Sequence, residues 1–376
     1  MRRIGISMLF LFVCFVSTGW REAQAQEQAQ AQLQTKPRII TFDVPQAGTA
    51  PNQGQGTFPE QISNLGQIVG NYVDANGVNH GFVRDPNGKI TTFDAPGAGT
   101  NPDNGTVPNG ITDTGFVVGG VFDSSHVFQG FFGRPGGPFT VFSARGAGTS
   151  PHQGTNALGI NLEGSISGDY VDANGVPHGY IRTRDGKITS FDPSGSAFTA
   201  ADTLGINVVG AITGPFLDAN GLVHGFVRLP NGKITNFDAP EAGTDPDQGQ
   251  GTVPSMINDL GMIPGAYQDA NNVIHAFVRF ANGTITTFDV PNAGTDQFQG
   301  TLANAANVEG FITGEFFDAN FVGHGFVRTP GGKNFEFDAP GEGIQETSPL
   351  SINLWGAVTG TFVDANGVTH GFLRLP

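Results

Sequence analysis

One phrase, Asp-Ala-Asn-Gly-Val-x-His-Gly-Phe-x-Arg, returns along the whole chain and limits the fold before any other feature is weighed. It starts at Asp74, Asp172, Asp218, Asp269, Asp318 and Asp364, with a degraded copy at Asp123. Counting that copy, the steps are 49, 49, 46, 51, 49 and 46 residues, so seven units fill the chain without remainder. A period of this length marks an array in which each unit buries its apolar faces on its neighbours.

Four short β-type runs can be read in each unit. In the first they end at Ile62-Ser63 and then cover residues 67–73, 79–84 and 89–94, separated by tight turns at Asn64-Leu65-Gly66, Asn76-Gly77 and Asn87-Gly88. Four antiparallel strands make one propeller blade. The last unit stops at Leu375-Pro376 without its fourth strand, while Ile39-Ile40-Thr41-Phe42-Asp43 stands alone ahead of the first and matches residues 90–94. Pairing the two removes two exposed edges, so the expected fold is all-β: a seven-bladed β-propeller over residues 37–376, with the N-terminal strand completing the last blade. The polar link 95–105 crosses from one blade to the next. By alternation of strand direction, these crossings share one face of the disc with the Asp-Ala-Asn-Gly turns, and the shorter turns share the other.

The repeated Asp and His invite a general-base reading. His80, His178, His224, His275, His324 and His370 each follow their Asp by six residues, and six equivalent catalytic sites are less natural than a structural role. Asp74, Asp172, Asp218, Asp269, Asp318 and Asp364 are expected to cap their own turns, with the imidazoles satisfying nearby oxygens between blades. One Asp and one Asn side chain per turn fall short of the six to eight oxygens calcium prefers, although loop carbonyls remain able to complete a site. Phe82 and Phe93 read as packing between blades.

Departures from the repeat are the places to look for function. The second unit has Gln129 for His, His126 inside the turn, Ser143-Ala144-Arg145 for Asp-Ala-Pro, and His152 in the next crossing. The fourth unit shortens its spacing, and its inbound crossing, 193–203, lacks the Ala-Gly-Thr text. Two residues before the Ile of each first strand stand Glu60, Asn109, Leu158, Leu204, Ser255, Asn304 and Leu350, placing polar groups on part of the channel wall. Trp355 occupies a turn where other units carry smaller residues. Glu60, Asn109, His126, His152, Ser255 and Asn304 are the binding candidates; no catalytic set, metal ligand or cofactor is assigned.

Residues 1–25 have the parts of a secretory leader: Arg2 and Arg3, an apolar run over 4–16, and Ala23-Gln24-Ala25 before cleavage. An uncleaved anchor competes, but the apolar run is short of the roughly 20 residues a membrane span needs. Cys14, the single cysteine, leaves with the leader, so no disulfide is available outside the cell. Residues 26–36, rich in Gln and Ala, read as a disordered spacer. Loss of three Arg and one Glu takes the net charge from −15 to −17, and acidic residues scattered over the turns argue against nucleic acid or anionic lipid as partner.

The text His-Ala/Gly-Phe-x-Arg followed by Gly-x-Ile-Thr-x-Phe-Asp-x-Pro resembles the bacterial extracellular HAF-repeat proteins. His275-Ala276-Phe277 is literal, and other units read His-Gly-Phe or, at His178, His-Gly-Tyr. The resemblance implies export and a repeat fold, and carries over no activity or catalytic residue. The leading expectation is therefore a monomeric extracytoplasmic binding or scaffold module for a carbohydrate, peptide or protein. The rival is a propeller lyase or hydrolase acting on a polymer through Glu60, or through His126 and His152.

Overall fold

The computed structural model describes residues 37–199 and 205–376, so the expected leader, the spacer and Leu204 lie outside the described residues. These residues form 29 β-strands and one short 3-10 turn, Pro246–Gln248. The chain is all-β. In the first unit Gly56–Ile62, Ile68–Val73, Asn79–Arg84 and Ile90–Phe93 pair in antiparallel succession. The N-terminal strand Arg38–Phe42 does not pair with its sequence neighbour. It lies antiparallel to Thr369–Leu375, with Ile40 opposite Leu373.

Units are joined by a short contact that only glycine permits. At five junctions the first residue of the incoming first strand is a Gly that pairs in parallel with the start of the preceding unit's third strand: Gly56 with Thr369, Gly105 with Asn79, Gly154 with Phe128, Gly251 with Val223 and Gly300 with Ile274. Gly105 has a φ of 117°, and a Cβ there would lie 1.9 Å from the Asn79 carbonyl oxygen. This geometry excludes every side chain. At the junction before the last unit the small residue has changed sides, with Gly323 on the outgoing strand facing Glu346.

The threonine after each of these residues is fully buried and ties the crossing down. Thr106 Oγ1 accepts the Ala95 N–H at 2.9 Å, and Thr57, Thr155, Thr252, Thr301 and Thr347 do the same for their own crossings. Leading into the fourth unit, Pro193 has no N–H to offer. Thr199 there donates instead to Asp192 Oδ1 at 2.6 Å, which accounts for the departure at this crossing.

Apolar packing repeats the same step. The outer-strand Phe of one unit meets the third-strand aromatic of the next edge to face: Phe93 with Phe131 at 6.3 Å, Phe142 with Tyr180 at 6.2 Å and Phe337 with Phe372 at 5.9 Å. Phe42 makes the same contact with Phe82 at 6.2 Å, joining the N-terminal strand to the first unit. Each such pair contributes about 0.5–1.5 kcal/mol beyond its buried area. Over most of these outer rings lies the Arg that ends the third strand of the following unit, as with Arg84 over Phe42 at 4.9 Å and Arg374 over Phe337 at 5.1 Å. Burial lowers the Arg374 pKa to about 10, so the aromatic face replaces part of the hydration this cation has lost.

Gly105→Ala should lower stability by at least about 2 kcal/mol in urea unfolding, because strain and collision combine. Gly136→Ala, at a φ of 82° with nothing within 4 Å of the added carbon, should cost only about 1 kcal/mol. Equal losses would refute the junction argument.

Candidate functional site

The loop-rich face carries one side-chain cluster six times. Each His is the second residue of a third strand and lies directly across from an aromatic residue of the second, as His80 does from Tyr72. The rings stack at 5.0 Å. His80 Nδ1 contacts Asp94 Oδ1, at the end of the outer strand, at 2.9 Å, and its Nε2 lies 3.8 Å from Asp74 Oδ2. His178, His224, His275 and His324 repeat this with Asp192, Asp238, Asp289 and Asp338. His370 takes its carboxylate, Asp43, from the far end of the chain at 2.9 Å.

The turn carboxylate is already engaged by its own loop. Asp172 Oδ1 accepts the N–H groups of Asn174 and Val176, and Oδ2 accepts the Asn174 amide. The Val176 bond is the largest influence on Asp172 and lowers its pKa. For Asp74 burial is the largest influence and opposes ionisation, but the combined bonds from Val78 and Asn76 still bring the pKa down. Asp218, Asp269, Asp318 and Asp364 hold their turns in the same way. The outer carboxylates differ: Asp238 is 51% exposed beside a His224 ring that is 20% exposed. A cavity of about 500 Å³ opens there, bounded by Ser194, Phe216, Asp218, His224 and Asp238. The imidazoles thus lie within single units, except in the last, rather than between units. The sequence did not reveal the outer Asp as the histidine's partner.

In the second unit Gln129 and Ser143 remove this cluster, but two flagged residues meet. His126 and His152 adopt left-handed φ values of 57° and 62°, the His152 N–H donates to the His126 carbonyl at 2.8 Å, and their rings stack at 5.7 Å.

The inner candidates are distributed instead of convergent. Glu60, Asn109 and Asn304 sit at register breaks of their first strands. Asn109 Nδ2 donates to the Ala157 carbonyl, Asn304 Nδ2 to that of Pro349, and Ser255 Oγ to that of Ala303, each in the next unit. A second girdle, missed in the sequence, comes from the recurring Ile-Asn: Asn161, Asn207, Asn258, Asn307 and Asn353 each donate to the carbonyl of the equivalent residue one unit on. The first-strand ends of all seven units surround a cavity of about 310 Å³ that opens on the short-turn face. Among the described residues no group of three or more His, Cys, Asp or Glu is placed to hold a metal ion.

Three further carboxyls are perturbed. Burial raises Glu60 to about 7; burial also raises Glu315 to about 7, opposed by a Ser348 hydrogen bond and reinforced by neighbouring Glu346. Glu346, itself raised by burial, is the residue that faces Gly323 at the altered junction.

The structure corrects one expectation about charge. The acidic groups are not evenly spread, because strand alternation gathers the turn and outer-strand Asp residues on the loop-rich face. Apart from Arg145, every Lys and Arg in residues 37–376 lies at the short-turn end.

No family model and no curated protein matches the sequence. Among solved structures the chain is similar to a streptogramin B lyase, at 17% identity and a TM-score of 0.56, covering 90% of this chain and 98% of that one. It is also similar to the BP39L lectin from Burkholderia pseudomallei, at 11% identity and a TM-score of 0.54, covering 83% and 93%. A puromycin hydrolase mutant matches at 12% identity and a TM-score of 0.50, covering 83% of this chain and 53% of that one. These likenesses place the chain in the β-propeller fold. At such identities they speak to fold alone.

Glu60 and Glu315 hold protons in the folded chain where the unfolded chain, with carboxyls near 4.5, has released them. Their contribution to stability is therefore full below about 4.5, falls as pH rises towards about 7, and is level above. Melting temperature followed by circular dichroism should drop over that interval, and Glu60→Gln with Glu315→Gln should flatten the profile. A rise over the same interval in the parent protein would contradict the assignment.

Proposed function

We propose that this chain is an exported, seven-bladed propeller of the HAF-repeat kind that acts as a multivalent glycan-binding module through the His–Asp clefts of its loop-rich face. The observation that carries the reading is the sixfold recurrence of a half-open His–Asp pair whose outer carboxylate remains accessible, as at His224 and Asp238. A solvent-facing carboxylate, an imidazole edge and a cavity of about 500 Å³ suit a hydroxyl-rich ring. Repetition, awkward for catalysis, is useful for binding, since weak identical sites on one disc gain avidity against a polymer. A propeller architecture shared with a lectin is consistent with this use.

Seven repeats and the pairing of Arg38–Phe42 with Thr369–Leu375 support a ring of seven blades latched by its N-terminal strand. The leader text supports export, and among the described residues no helix is long and apolar enough to cross a membrane. The second reading, a lyase or hydrolase, draws on the paired His126 and His152 and on the lyase and hydrolase neighbours.

A glycan array probed with the chain from Gln26 onward, with and without calcium and with product analysis of each hit, separates the two. The module predicts saturable binding without turnover. Asp238→Asn alone should weaken binding modestly, and removing three outer carboxylates together by roughly tenfold or more. Shortened product would favour the enzyme, and an array without hits would remove the glycan assignment. Deleting residues 36–43 should lower the melting temperature markedly by exposing the edge of Thr369–Leu375; unchanged melting would refute the latch.

A further inference from the structure

We propose that the short-turn face docks the propeller on an anionic lipid surface, leaving the acidic loop-rich face directed outward. Eight of the twelve exposed large apolar side chains among the described residues lie at this end of the disc. Five of them, Leu65, Leu162, Val209, Leu260 and Trp355, sit at the tips of the turns between first and second strands and are 59–68% exposed. These turns encircle the channel mouth. Trp355 is held outward because its Nε1–H donates to the Asn64 carbonyl at 3.0 Å, across the junction between the last unit and the first.

Cations form a wider circle around this collar. Lys89, Arg134, Arg184, Lys187, Lys233 and Lys333 are exposed at or beside the turns between third and fourth strands, and Arg38 is exposed at the start of the N-terminal strand. Exposed acids at the same end are Glu163, Asp185, Asp259 and Glu309, with Asp85 and Asp113 half-buried. The balance is positive on this face and strongly negative on the other, so a negatively charged surface turns the disc one way. Apolar tips ringed by Lys and Arg match the groups that settle at a lipid interface, where tips enter the headgroup region and cations meet lipid phosphates. A soluble polyanion would use the cations but give the exposed Leu and Trp nothing to bury against.

The chain from Gln26 onward contains every described strand and has Trp355 as its single tryptophan, which makes it a built-in probe. It would be mixed with phosphatidylcholine vesicles with and without phosphatidylglycerol, and followed by co-sedimentation and tryptophan fluorescence. The expected result is binding only to the anionic vesicles, a blue shift of Trp355 emission, and loss of both as salt is raised. Lys89→Glu with Lys187→Glu, Lys233→Glu and Lys333→Glu should weaken partitioning by roughly tenfold or more. Leu65→Ser with Leu260→Ser should weaken it while leaving the melting temperature unchanged, which separates docking from folding. His224→Ala, on the opposite face, should bind vesicles as the parent does. Equal sedimentation with neutral and anionic vesicles, an unshifted Trp355, or binding to dextran sulfate without binding to vesicles would overturn the proposal.

Discussion

Backbone groups brought within hydrogen-bonding range of the preceding unit are what the rest of the architecture depends on. At five junctions a first strand lies against its neighbour's third strand because Gly56, Gly105, Gly154, Gly251 or Gly300 gives up its side chain. The threonine that follows then fixes the crossing, and the crossing fixes the next turn: the Gly99 N–H, for example, donates to the Phe122 carbonyl at 2.8 Å. Edge-to-face aromatic pairs, and the Arg over most of the outer rings, fill the wedge that this backbone contact opens. The exchange of positions between Gly323 and Glu346 supports the argument, because one partner at the contact remains without a side chain.

The same geometry divides the molecule into two unlike faces. On one, loops carry the His–Asp clusters and the larger share of the turn carboxylates. On the other, short turns carry the basic residues and the exposed apolar tips. A net charge of −15 averages over this division and describes neither face. Binding of a hydroxyl-rich ligand and attachment to a surface therefore need not compete for the same groups.

Much of this was legible in the sequence. The period and the strand order within a unit follow from the recurring Asp-Ala-Asn-Gly phrase and its turns, and the completion of the last unit follows from Ile39-Ile40-Thr41-Phe42-Asp43 standing alone. The two histidines of the second unit stood out as departures, but their meeting did not, because it requires the layering of a turn against the next crossing. The Asp of the outer strand lay in plain view in each repeat, yet its contact with His depends on strand register. Glu315 and Glu346 were not visible at all: the position of Glu315 changes from unit to unit, as Asn71, Gly120 and Asp169 show, and only packing across the junction makes it a neighbour of Glu346.

The contact between His370 and Asp43 joins residues 327 positions apart. During synthesis the strand Arg38–Phe42 emerges early and its partner Thr369–Leu375 last, so the early strand waits for the late one. Until then the incomplete molecule carries an open strand on its last sheet, the kind of edge that recruits another chain. Long separations also slow the final search. The hazard of this fold thus belongs to its assembly, and a cell that makes it must keep nascent copies apart for as long as it takes one chain to reach Leu375.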